Sequence, residues 1–205
     1  MKRKTILVDI DGVVYNWAKT MCFWLLKNGV LSSTKTIDDW MIKYHSWEIW
    51  ENWGVSKGEF NRWWRLGIEK GIVYAQGPVI DGARETLWQL SEDEWNIHLI
   101  TNRLTKFGLH DTIVLNTANW LRDNNIPYRE LSFASSKPSV IADAIIDDSS
   151  KNMSLFAHSK CFVFPAPHNY SEEREEGFIY LPKNPTSAWK QILETLKTKE
   201  VEDNE

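Results

Sequence analysis

Lys4-Thr5-Ile6-Leu7-Val8-Asp9-Ile10-Asp11-Gly12 is the stretch on which the reading of this chain turns. Residues 5–8 are apolar or β-branched, the composition of a short strand buried on both faces. Two aspartates, one residue apart, then cut the run, and a glycine follows. Carboxylates have no place inside such a strand, so it ends at Asp9 and its polar pair sits at the C-terminal tip. The same cut denies Met1-Lys2-Arg3-Lys4 and the apolar residues after it the uninterrupted core of a secretory leader.

Working outward, four further runs have the same form. Ile97-His98-Leu99-Ile100 ends at Thr101-Asn102-Arg103. Leu131-Ser132-Phe133-Ala134 comes shortly before Lys137-Pro138. Ala144-Ile145-Ile146 ends at Asp147-Asp148, and Cys161-Phe162-Val163-Phe164 ends at Pro165. Helical periodicity lies between them: Ala83, Leu87 and Leu90; then Ile113, Val114, Thr117, Trp120 and Leu121; and over residues 186–197 the stripe Trp189, Ile192, Leu196. Strands alternating with helices predict an α/β fold, a parallel sheet covered on both faces. Residues 15–76 interrupt the alternation and read as several short helices, until Gly77-Pro78 marks the return. The predicted organisation is a core of residues 1–14 and 77–199, an inserted helical cap of 15–76, and a frayed acidic tail, 200–205.

Composition narrows the function classes. The chain has 205 residues, 42% hydrophobic and 25% charged, with a formal net charge of −4. That balance disfavours a duplex nucleic-acid surface, which needs clustered Lys and Arg. No stretch is apolar enough to span a bilayer. Cys22 and Cys161 follow no metal spacing and read as reduced core residues of a cytoplasmic protein. Tryptophan is the anomaly: of 12, eight (Trp17, Trp24, Trp40, Trp47, Trp50, Trp53, Trp63, Trp64) fall in the insertion.

In an open parallel sheet, ligands bind beyond the C-terminal strand ends. There the sequence places Asp9, Asp11, Thr101, Asn102, Asp147 and Asp148, with Lys137 nearby. Crowded carboxylates repel one another, and a bound divalent cation relieves this. Hard oxygen donors suit Mg²⁺, which bridges readily to phosphate. A lysine, backbone N–H groups and a metal would together offset the charge of a phosphoryl group. Singly, each motif is an ordinary turn, helix cap or surface residue. Four of them after four strands, in order, form a pattern.

That pattern resembles the haloacid-dehalogenase (HAD) phosphatases. Val8-Asp9-Ile10-Asp11-Gly12-Val13-Val14 looks like the family's first motif, Leu99-Ile100-Thr101-Asn102-Arg103 like the second, Lys137-Pro138 like the third and Ile145-Ile146-Asp147-Asp148 like the fourth. Within that class the chain is most similar to the 5′(3′)-deoxyribonucleotidases, including phage versions. The position of the helical cap, Pro78-Val79-Ile80-Asp81-Gly82-Ala83 and His168-Asn169 match that subgroup. The resemblance implies a HAD-like Rossmannoid three-layer sandwich and a Mg²⁺-dependent phosphatase acting through an aspartyl-phosphate. Asp9 would be the nucleophile. Asp11 would be the acid–base group and would touch the metal through its carbonyl. Thr101 and Lys137 would hold phosphoryl oxygens. Asp147 or Asp148 would complete the metal site. Asn102 and Arg103 depart from the small polar residues common after the motif-two Thr; Asn102 would contact the substrate, and Arg103 would be either a phosphate or sugar contact or a surface residue.

The expected substrate is a small phosphorylated molecule, a nucleoside monophosphate and plausibly a deoxyribonucleotide. The alternatives are another phosphomonoester, such as a sugar phosphate, or a non-catalytic nucleotide-binding or interaction module. In the cap, Trp17, Trp47, Trp50 and Trp64 are candidates to stack on a base, with Trp17 the first choice. Trp at helical spacing more often builds a core, and Trp40, Trp47 and Trp50 read as such a stripe. Arg62 and Arg65 read as a solvated face. A homodimer is left open.

Overall fold

The computed structural model describes residues 3–103, 108–134, 141–154, 156 and 159–197. Strands β1 (Thr5–Asp9), β2 (Asn96–Thr101), β3 (Glu130–Phe133), β4 (Ala144–Asp147), β5 (Lys160–Val163) and β6 (Phe178–Tyr180) form one sheet, in the order β3-β2-β1-β4-β5-β6, with every neighbouring pair parallel. The first strand is central, between β2 and β4, and its Ile6, Leu7 and Val8 are fully buried. That is why it reads as a continuous apolar run rather than an alternating one.

Parallel neighbours need crossovers, and α-helices supply those from β1 to β2 and from β2 to β3. Helix α5 (Ala83–Glu92) precedes β2, α6 (His110–Asp123) joins β2 to β3, and α7 (Pro185–Lys197) follows β6. Leu87, Leu90, Ile113, Trp120, Leu121, Trp189 and Ile192 from these helices pack with Ile6, Val8, Leu99, Ile146 and Phe162 of the sheet. Val114, expected on the apolar side of α6, is exposed. Leu7, Ile100, Ile145, Cys161 and Val163 form a second, smaller cluster with Met153 and Phe156 beside a 3₁₀ turn, Ser150–Asn152. Both cysteines are free and buried. Among the described residues, no helix is long and apolar enough to cross a membrane. The predicted acidic tail, 200–205, lies outside the described residues.

The sixth strand is an addition to the predicted five. It has three half-buried residues at the sheet edge, and Glu172-Glu173-Arg174-Glu175-Glu176-Gly177 precedes it. Neither its length nor its flank gives a strand signal.

Four helices lie between β1 and α5: α1 (Trp17–Lys27), α2 (Ile37–Ile42), α3 (Ile49–Asn52) and α4 (Lys57–Glu69). Side chains cap three of them: Asn16 starts α1, Thr36 and Asp39 form a capping box on α2, and Ser56 starts α4. Short helices offer little aliphatic area, so aromatic rings supply the packing. Trp17 meets Trp64 edge-on with centroids 5.4 Å apart, and Trp24 meets Trp63 at 5.9 Å. The indole N–H groups of Trp24 and Trp53 donate to the carbonyls of Trp63 and Trp40, at 2.8 and 3.0 Å. The predicted Trp40–Trp47–Trp50 stripe is not one helix. Trp40 is in α2, Trp50 in α3, and Trp47 lies in the bend between them, 47% exposed. Arg65 pairs with Glu69 on the outer face of α4, as a solvated face should.

The two chain crossings between insertion and sheet are zipped together. Asn16 N–H donates to Pro78 O at 3.0 Å and Ile80 N–H to Val14 O at 2.8 Å. Gly77 lies in this seam under the indole of Trp120, which donates to its carbonyl at 2.7 Å. A methyl at Gly77 would collide with Thr20 and the Tyr15 ring, whereas one at Gly58 in α4 meets nothing within 4 Å. Gly77→Ala is expected to lower unfolding free energy in urea by about 1–3 kcal/mol through overpacking. Gly58→Ala should raise it by up to about 1 kcal/mol.

Candidate active site

Parallel pairing of β1 with β4, with Val8 opposite Ile146, brings both strands to their C-terminal tips side by side. Those tips are Asp9 and Asp147, and Asp148 follows. The three residues are only 7%, 0% and 8% exposed, and each offers a carboxylate oxygen within 4.8 Å of the others. Three negative groups so placed repel strongly, and a divalent cation among them would remove that repulsion. The donor set, all hard carboxylate oxygen, fits Mg²⁺ or a similar ion.

Neighbouring groups orient the cluster. Ser149 N–H donates to Asp147 Oδ1 at 2.9 Å, and the Asn152 amide donates to both oxygens of Asp147 at 3.1 Å. The Asn169 amide donates to the backbone carbonyls of Asp148 and Phe164, each at 2.8 Å, which fastens the loop after β5 to the end of β4. Gly12 has φ +83° and lies against the Asp148 carboxylate, so any side chain there would collide with it. Both the left-handed backbone and this close approach call for the glycine after the paired aspartates.

Asp11 is set apart from the cluster. Its side chain is 29% exposed, and Arg103 grips both its oxygens, Nε to Oδ2 and Nη2 to Oδ1, at 2.8 Å. The Thr101 hydroxyl donates to Oδ2 at 3.4 Å. Of the four aspartates predicted around the metal, the structure therefore gathers the side chains of three and leaves the Asp11 carboxylate outside. Arg103 is not a surface residue. It is 1% exposed, its Nη1 donates to Thr117 at 2.8 Å, and it does not line the cleft. Burial works against its charge, but the Asp11 carboxylate more than compensates and raises its pKa.

A cleft of about 530 Å³ opens above these strand ends. Asp9, Asp11, Thr101, Asn102 and Asp148 line it from the sheet side, and Trp17, Tyr44 and Trp47 from the insertion. Trp50 and Trp64 are not in its wall. Lys137 lies outside the described residues.

The insertion also touches the acidic cluster through His168. Trp47 stacks on the imidazole at 3.7 Å between centroids, and the Tyr44 hydroxyl bonds to Nδ1. Nε2 lies 3.5 Å from Asp148 Oδ2. His168-Asn169 stood out in the sequence, whereas Tyr44 and Asn152 carried no signal, because their partners are remote in the chain or hidden in an irregular turn. Burial pushes the His168 pKa down to about 4, against the opposing pull of Asp148 and Asp147. The folded protein thus holds His168 neutral, while the unfolded chain takes up a proton below about 6.5. This contribution to stability is complete above that pH and is lost as pH falls toward 4. In EDTA, wild type should lose roughly 3 kcal/mol more than His168→Gln between pH 7 and pH 4, read by urea denaturation. Equal losses in the two proteins would contradict this.

Comparisons with known proteins bear on the fold and the family. The chain is 36% identical over 109 residues to a Chlorobaculum tepidum protein provisionally named 5′(3′)-deoxyribonucleotidase, a match covering 53% of this chain and 54% of that one. The chain thus spans about half the length of this curated relative. In fold it resembles YfnB of Bacillus subtilis, provisionally classed as a HAD hydrolase, with a TM-score of 0.55 at 15% identity, covering 96% of this chain and 100% of that one. It also resembles D,D-heptose 1,7-bisphosphate phosphatase of Burkholderia thailandensis, with a TM-score of 0.52 at 9% identity, covering 93% and 99%. Residues 3–177 match the family model described as 5′ nucleotidase, deoxy (Pyrimidine), cytosolic type C protein. The fold is HAD-like, and the chain belongs to the cytosolic type C 5′ nucleotidase family.

Proposed function

We propose that this protein is a phosphoric monoester hydrolase that takes nucleoside monophosphates, deoxyribonucleotides in particular, and depends on Mg²⁺. The observation that carries the reading is the buried Asp9–Asp147–Asp148 cluster, of which Asp9 and Asp148 line the floor of a cleft roofed by Trp17, Tyr44 and Trp47. Family membership and the name of the Chlorobaculum relative support the choice of substrate.

In this reading residues 1–14 and 77–199 are the catalytic core and 15–76 a cap. A bound Mg²⁺ would neutralise the charge of carboxylates and phosphate together. Asp9 Oδ bonds to phosphorus as the bond to the leaving oxygen breaks, and Asp11 gives that oxygen its proton. Water then bonds to phosphorus, the Asp9–phosphorus bond breaks, and Asp11 takes back a proton. Thr101 and Lys137 hold phosphoryl oxygens. Asp9 and Asp148, with Asp147 behind them, would hold the ion together with the Asp11 carbonyl. Asn102 contacts the substrate, and Trp17 offers an aromatic face to the base.

Phosphate release should be measured from ribo- and deoxyribonucleoside monophosphates and sugar phosphates, with Mg²⁺ and with EDTA. Deoxyribonucleotides should be the best substrates, and EDTA should abolish turnover. Asp9→Asn should lose at least about a thousandfold in kcat. An active Asp9→Asn variant would overturn the mechanism, and preference for sugar phosphates would overturn the substrate.

A further inference from the structure

The contacts of Arg103 join the Asp11 carboxylate to the root of the insertion. The guanidinium meets both Asp11 oxygens at 2.8 Å, and its third arm is held by Thr117 of α6. The rings of Tyr15 and Tyr74 pack against it, with Cζ 4.8 and 4.4 Å from their centroids and the two centroids 6.5 Å apart. Tyr15 belongs to the outgoing crossing between sheet and insertion, and Tyr74 lies just before the returning one. Tyr74 has φ +71°, a left-handed conformation that a bulky side chain adopts only when its surroundings enforce it. Here its N–H donates to the Tyr15 hydroxyl at 3.0 Å and its ring closes over Arg103. The strain sits where the insertion meets the carboxylate.

An aspartate side chain can rotate, and proton transfer needs one orientation. A planar guanidinium fork fixes the plane of a carboxylate in a way a lysine point charge cannot. Thr117 and the two rings in turn fix the fork. We propose that Arg103 is a positioning residue for Asp11: it sets the plane of the carboxylate that moves protons in the cleft, and ties that plane to the root of the insertion through Tyr15 and Tyr74. The inference rests on the phosphatase reading above. The fork pairs with the carboxylate that the first proton transfer leaves behind and that accepts the proton from water in the second. Arg103 itself exchanges no proton and touches no substrate.

The test is a double-mutant cycle on Mg²⁺-dependent hydrolysis, using the deoxyribonucleotide that wild type turns over best. Arg103→Met should lower kcat by at least about tenfold with KM little changed, because the lost interaction serves the reaction rather than binding. Arg103→Lys should recover part of that loss. In an Asp11→Asn background, Arg103→Met should cost less than about twofold more, because the partner it positions is already gone. Losses that multiply in the double variant, or a raised KM at unchanged kcat, would overturn the inference in favour of a structural role or a substrate contact. Should Arg103→Met fail to fold, Arg103→Lys carries the same cycle. An inert wild type would sink the phosphatase reading and this inference with it, whereas an active wild type with multiplying losses sinks only the inference.

Discussion

Asp9, Asp147 and Asp148 bring carboxylate oxygens within 4.8 Å of one another in a part of the molecule almost closed to solvent. Left alone, such a cluster opposes folding, because burial and mutual repulsion both disfavour ionised carboxylates. Parallel pairing of two adjacent strands, each apolar up to its terminal aspartate, nonetheless forces the contact. Much of the surrounding architecture serves it. Gly12 yields space to the Asp148 carboxylate, Asn152 and the Ser149 amide hold Asp147, and Asn169 fixes the backbone on which Asp148 sits.

The insertion answers a different constraint. Its helices are short, so it is built from aromatic rings, with the Trp24 and Trp53 N–H groups donating to carbonyls, and most of its tryptophans serve this packing. Trp17 and Trp47 differ in reaching the cleft. Trp47, with Tyr44, also rests on His168 and so on Asp148, which gives the roof of the cleft a contact with its floor. On the other side, Tyr15 and Tyr74 pack against the arginine that grips Asp11. Both aspartate motifs therefore have a connection to the insertion.

Much of this was legible in the residues, for identifiable reasons. A central parallel strand is buried on both faces, so β1, β2, β4 and β5 announce themselves as largely apolar runs, broken only by His98 in β2, and the polar residues that end them mark the functional edge. The edge strand β6 has no such constraint and left no trace. Trp47 was misread as part of a helical stripe, because periodicity across a bend cannot be told from periodicity along a helix. The environment of Arg103 was hidden for another reason. Its burial depends on Asp11, Thr117 and two tyrosines that are distant in sequence, and no local pattern reports a pairing made across the fold. The same holds for the pairing of the Asp11 carboxylate with that guanidinium, whereas the expected metal contact of Asp11 concerns only its backbone carbonyl.

The most direct test of the central claim, that the acidic cluster is a cation site, is a calorimetric titration of Mg²⁺ into protein stripped with EDTA and dialysed free of the chelator. Wild type should bind Mg²⁺ at a single site per chain, and Asp148→Asn, which keeps the shape and removes one charge, should bind it at least about tenfold more weakly. No binding by wild type, or equal binding by the variant, would contradict the account.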